Sequence, residues 1–130
     1  MAIDMVIEVE NEPGALAKVA RAISDAGVNI SAATFVGGDK RAELHFLVPH
    51  SEPTRRALEK VGVVPTRERE VVVVEAEDRP GELADLARKV SEAGINIDLL
   101  YVATRTRIVF GAEDLEGLKA ALGVRAATPA

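Results

Sequence analysis

Hydrophobic and polar residues alternate along Ile3-Asp4-Met5-Val6-Ile7-Glu8-Val9, which predicts a half-buried strand with Ile3, Met5, Ile7 and Val9 on its inner face. After Pro13-Gly14 the period changes. Leu16, Val19, Ala20 and Ile23 recur at helical spacing, and Gly27 stands where such a helix stops. Val28 to Val36 predicts a second strand and Ala42 to Val48 a third, joined as a hairpin by the turn Gly37-Gly38-Asp39-Lys40. Ser51 is placed to cap a second helix, with Pro53 in its first turn and Ala57, Leu58 and Val61 facing inward before Gly62. Val63-Val64 predicts a short fourth strand at an edge, interrupted by Pro65.

The second half repeats this order. Glu70 to Ala76 predicts a strand whose apolar run is continuous, so both of its faces are expected to be covered. Leu83, Leu86, Ala87 and Val90 form the stripe of a helix that stops at Gly94. Ile95 to Val102 and Arg107 to Phe110 form a hairpin, and Leu115, Leu118 and Leu122 line a last helix ending at Gly123. Glu113, Asp114 and Glu116 suit the N-terminal end of that helix. The segment from Val124 to Ala130 supplies at most a short last strand. Aligned without gaps at an offset of 67, residues 8–30 and 75–97 are identical at 13 of 23 positions, far beyond chance. Two units follow, 1–66 and 67–130, with a shorter hairpin in the second. Each reads strand-helix-strand-strand-helix-strand, and this order predicts an α+β fold: two ferredoxin-like βαββαβ units in tandem, with antiparallel sheets and helices on one face.

A unit of about 65 residues buries only roughly 60% of its unfolded surface. The halves are therefore expected to pack on each other or on another chain, and a homodimer is the expected assembly. Charge narrows the partners: a net −5, split −2 and −3 between the halves, with only Phe35, Phe46, Tyr101 and Phe110 as aromatics, does not suit a nucleic-acid platform. The absence of cysteine rules out disulfides, thiolate metal sites and a Cys nucleophile. No basic leader or membrane-length apolar run is present, so a soluble cytoplasmic protein is expected, with no cofactor and no membrane partner.

The repeated phrase is Glu10-Asn11-Glu12-Pro13-Gly14-Ala15-Leu16-Ala17 and Glu77-Asp78-Arg79-Pro80-Gly81-Glu82-Leu83-Ala84. Pro-Gly suits a turn with positive φ at Gly, after which a helix begins with unpaired N–H groups at Gly14, Ala15 and Leu16, or Gly81, Glu82 and Leu83. A small carboxylate can dock there, but the helix field contributes only ~0.3–1 kcal/mol, against the ~8 kcal/mol of a micromolar ligand. Help must come from side chains. Asn11 and Asp78 precede the prolines by two, and Asn29 and Asn96 open the following strands, which as sheet neighbours would converge on a ligand's ammonium and carboxylate. The simpler account makes Asn11 and Asp78 turn or N-cap residues, and the other two asparagines turn-tolerant followers of glycine.

Two copies of an acidic or amide residue, any residue, Pro-Gly, any residue and Leu, each followed after a helix by Gly-[Val/Ile]-Asn-Ile, resemble the ACT domain. This resemblance covers nearly the whole chain. It implies a ferredoxin-like regulatory module of amino-acid metabolism, with a small ligand, usually an amino acid, bound between paired ACT units. It also implies a metabolic enzyme or regulator as partner. The residues implied to meet the ligand are Asn11, Gly14 and Asn29, and Asp78, Gly81 and Asn96; the helix-start residues Ala15, Leu16, Glu82 and Leu83 named above complete the candidate site. The serine-sensing branch of the family carries His where Val9 and Ala76 stand, so its ligand mode is not implied.

Competing readings are a structural dimerisation module and an acylphosphatase-like hydrolase with Arg79 as phosphate cradle and Asn96 positioning water. No convincing catalytic constellation supports an enzyme. His45 and His50 lack metal-ligand or nucleophile partners and read as packing or surface residues. Gly37 to Lys40 lacks the spacing of a phosphate loop. Arg105 and Arg107, with Thr104 and Thr106, offer a small anion patch, for which an exposed turn is the simpler account.

Overall fold

The computed structural model describes residues 2–124. The elements run β1 (Ala2–Glu10), α1 (Ala15–Asp25), β2 (Ala33–Gly37), β3 (Arg41–Val48), α2 (Ser51–Glu59), β4 (Arg67–Glu75), α3 (Glu82–Glu92), β5 (Leu99–Ala103), β6 (Arg107–Gly111) and α4 (Leu115–Leu122). Among the described residues they form two compact units, Ile3–Arg69 and 70–124, each ferredoxin-like.

In the first unit β3 lies between β1 and β2 and is antiparallel to both, with Met5 opposite Phe46, Ile7 opposite Leu44 and Phe35 opposite Leu44. The alternation of β1 puts Met5 and Ile7 into one core with Leu44, Phe46 and Val48 of the sheet, Val19 and Ile23 of α1, and Leu58 of α2. Ile3 and Val9 pack half-buried at its margin. In the second unit β6 lies between β4 and β5, and Val72, Ile108 and Phe110 meet Leu86, Val90 and Leu118 of the two helices. The unbroken apolar run of β4 is buried on successive residues, Val71, Val72 and Val73, as a strand covered on both faces requires.

Three expectations are corrected. First, β2 begins at Ala33 and β5 at Leu99, so residues 28–32 and 95–98 belong to no strand. The cause lies in the helix ends: Gly27 and Gly94 take positive φ, and the next N–H reaches back to the helix, Val28 to the Ile23 carbonyl and Ile95 to that of Val90. That closure leaves the chain at the foot of the helix, several residues from the strand it must join. Second, Val63-Val64 forms no strand. Gly62 repeats the same closure with Val63 N–H on Leu58 O, and pairing resumes only past Pro65, where the N–H and hydroxyl of Thr66 both donate to Val6 O and β4 follows at Arg67. Third, His50 rather than Ser51 is the N-cap residue of α2. The last strand expected from Val124 on falls almost wholly outside the described residues.

Candidate ligand site at the strand-to-helix junctions

The two junctions share one backbone. Glu12-Pro13-Gly14-Ala15 and Arg79-Pro80-Gly81-Glu82 are type II turns: Gly14 has φ 90° and ψ −13°, Gly81 φ 89° and ψ −9°. The Ala15 N–H lies 3.3 Å from Glu12 O and that of Glu82 3.4 Å from Arg79 O. Proline at the second turn position and glycine at the third meet that turn's dihedral demands. These turn bonds correct the expectation that the Ala15 and Glu82 N–H groups are unpaired; no side chain caps α1 or α3, so the donors left at each helix start are the N–H groups that follow them. Leu16 and Leu83, in the first turns, are 42% and 44% exposed.

The surroundings differ. Asn11 donates through Nδ2 to Gly38 O at 2.7 Å, while its own N–H reaches Lys40 O at 2.9 Å. It staples the end of β1 to the β2–β3 turn so closely that a Cβ at Gly37 would lie 3.0 Å from its amide. Asp78 is exposed and makes no side-chain hydrogen bond among the described residues. Beside it Arg79 folds over the start of α3: Nε lies 3.1 Å from Glu77, Nη2 2.9 Å from both Glu82 and Asp85, and Nη1 donates to Pro80 O. The second oxygen of Glu82 accepts the Glu77 N–H at 2.7 Å. The hydrogen bond from Arg79 holds the Asp85 carboxyl below its ordinary range, and Asp85 in turn raises the Arg79 guanidinium. Four of the five N–H donors of Arg79 are thus engaged, and the hydrolase reading loses its phosphate cradle.

The structure separates the predicted site residues within each unit. Asn11, Gly14, Ala15 and Leu16 lie at the start of α1, whereas Asn29 is exposed beyond its far end, 11 helical residues or roughly 16 Å away. The strands are not neighbours either, because β3 intervenes between β1 and β2. The second unit repeats this, with Asp78, Gly81, Glu82 and Leu83 at one end of α3 and Asn96 at the other. Asn96 borders an open hollow of about 390 Å³ with Asp98, Glu113 and Asp114. A ligand touching both ends must receive one of them from another unit.

Sequence reasoning missed a second hollow, of about 350 Å³, at the first junction; Glu10, Glu12, Ala15, Lys18, Arg41 and Val63 border it. Charge alternation around the turn was its only sequence signal. His45 was also misjudged: its ring bridges two carboxylates, with Nδ1 2.9 Å from the buried Asp4 and Nε2 2.7 Å from Glu43. Hydrogen bonding to Asp4, against the opposing cost of burial, raises its pKa. Arg107 is buried rather than exposed, bound through Nε and Nη2 to the carbonyl and hydroxyl of Thr104, and burial lowers its pKa. Arg105 and Thr106 turn the hairpin with positive φ, 59° and 51°.

The ACT domain family model matches residues 4–64 and 71–124. No curated protein sequence matches the chain. Among solved structures the chain is similar to protein BT0572 from Bacteroides thetaiotaomicron, with 21% identity, a TM-score of 0.83, and 93% of this chain and 85% of that one covered. It is also similar to the regulatory subunit of aspartate kinase from Thermus thermophilus in its ligand-free form, with 23% identity, a TM-score of 0.68, and 94% and 89% covered. The corresponding subunit from Thermus flavus gives 24% identity, a TM-score of 0.65, and 94% and 90% covered.

Proposed function

Because the chain belongs to the ACT domain family, with two copies in tandem, we propose that it binds an amino acid and transmits that event to a partner as a regulatory module, without catalysing a reaction. The supporting observation is the repeated junction: two proline-glycine turns of the same dihedral angles, each opening a helix whose first N–H groups no side chain caps. Such a start favours a carboxylate without being sufficient for affinity. In this reading a junction (Asn11, Gly14, Ala15 and Leu16, or Asp78, Gly81, Glu82 and Leu83) meets the ligand from one ACT unit. An asparagine, Asn29 or Asn96, reaches it from another. The fold similarity to an aspartate kinase regulatory subunit is consistent with a metabolic enzyme as partner; assembly as a homodimer is proposed with it, because units of this size leave sheet edges to cover. Regulation then follows from bridging: a ligand shifts an equilibrium only by its differential affinity for two arrangements, and contacts to two units supply that difference.

A thermal-shift screen of the full chain against each of the twenty amino acids at millimolar concentration tests this, since ligand stabilises the folded state by RT ln(1 + [L]/Kd). The double variant Asn29→Ala/Asn96→Ala should keep its circular dichroism and lose the shift. An unresponsive native protein, or an undiminished response in the variant, overturns the reading.

A further inference from the structure

The two junctions carry opposite charges at two equivalent positions, Glu12 against Arg79 and Lys18 against Asp85. Glu12, Ala15 and Lys18 of the first correspond, at the repeat offset, to Arg79, Glu82 and Asp85 of the second. In the second unit these three side chains bind one another, with the guanidinium 2.9 Å from each of the carboxylates of Glu82 and Asp85. In the first, alanine replaces the central carboxylate and the hollow stays open. Among the described residues the side chains of Glu10, Glu12 and Lys18 make no hydrogen bond or ion pair. Arg41 makes only a 3.7 Å contact to Glu8, and both of those side chains are about half exposed.

An α-amino acid needs three things in one place: a cation for its carboxylate, a carboxylate for its ammonium, and an apolar wall for its side chain. The first hollow holds all three, with Lys18 and Arg41, Glu10 and Glu12, and Val63 on its border. At the second junction the cation and carboxylates that a ligand's termini would meet are already paired with each other within the chain. Resting on the amino-acid-binding reading above, we propose that the ligand is an aliphatic α-amino acid held in the first hollow, its carboxylate on Lys18 and Arg41 and its ammonium on Glu10 and Glu12. The second junction is closed to it by Arg79, Glu82 and Asp85. One ligand binds per chain.

The test transplants the closure. Glu12→Arg, Ala15→Glu and Lys18→Asp together write the second unit's residues onto the first junction, whose turn has the same dihedral angles, so the fold should be retained by circular dichroism. Calorimetry of the full chain with valine, leucine and isoleucine should show one site in the native protein and none in this variant. Lys18→Ala removes one exposed cation; it should weaken binding roughly tenfold or more and decides the matter alone if the triple variant unfolds. The reverse set, Arg79→Glu, Glu82→Ala and Asp85→Lys, should add a second site. Undiminished binding in the triple variant and in Lys18→Ala, with binding lost in Asn29→Ala/Asn96→Ala, overturns this assignment and leaves the general reading standing. Binding of polar but not aliphatic amino acids by the native protein overturns the ligand class. No binding of any amino acid overturns both readings.

Discussion

Replacing Gly14 by alanine isolates what the junction asks of the backbone. A Cβ built at Gly14 meets no atom within 4 Å, so neither clash nor lost packing contributes. What remains are two opposing backbone effects. Alanine at φ 90° incurs the left-handed penalty of roughly 1–2 kcal/mol. Against this, the lower entropy of the unfolded alanine chain stabilises by about 0.4–1 kcal/mol. The penalty wins, and Gly14→Ala should destabilise by about 0.5–1 kcal/mol. Asparagine tolerates this third turn position, so Gly14→Asn should lose less than alanine does. Urea unfolding followed by circular dichroism measures both, with the midpoint falling and the slope unchanged. An alanine variant as stable as the native protein, or an asparagine variant less stable than alanine, would refute the assignment of a strained type II turn to this junction.

Asn11→Ala removes an exposed hydrogen bond that ties β1 to the Gly38 carbonyl; a loss of about 0.5–1.5 kcal/mol is expected, with faster amide exchange confined to the 37–41 turn. Leu58→Ala empties a fully buried position in the first core and should cost about 2–5 kcal/mol by thermal unfolding. Because the folded-state pKa of His45 is raised, chiefly by its hydrogen bond to Asp4, its contribution is fully present below the unfolded value of about 6.5. It is lost as pH rises through the folded value. His45→Gln should flatten stability against pH in that window, and an unchanged profile would contradict the bridge. Arg79→Ala should let the Asp85 carboxyl return toward its ordinary range, read by NMR titration.

Local periodicity carried most of the fold. The alternation in β1 named Met5 and Ile7 as core, the unbroken run of β4 announced burial on both faces, and Gly27, Gly62, Gly94 and Gly123 marked four helix ends. The start of β2 was misread because Val28 to Ala32 has strand-like composition, but the chain there is still closing the end of α1. Propensity describes a residue's preference, whereas a strand also needs a partner at hydrogen-bonding distance. The candidate site was legible to the same degree. The turn and helix start follow from Pro13-Gly14 and Pro80-Gly81, but nothing local shows that Asn29 and Asn11 lie apart within one unit. That question depends on which strand lies between β1 and β2, a fact no local pattern contains.

By itself, then, the sequence determined what is short-range: two repeats, the order of the first five elements in each, the turn at each junction, and the absence of thiol chemistry. Tertiary structure decided whatever depends on residues far apart in the chain. It set β3 between β1 and β2, placed the junction and the asparagine at opposite ends of one helix, and brought Asp4 to His45 across 41 residues. It also decided the pairing at the two junctions: Arg79 is engaged by Glu82 and Asp85, whereas the Lys18 side chain makes no such contact among the described residues. The physical reason is that backbone dihedrals and side-chain period are set within a few residues. Strand register and ion-pair choice instead depend on the three-dimensional arrangement of the whole unit.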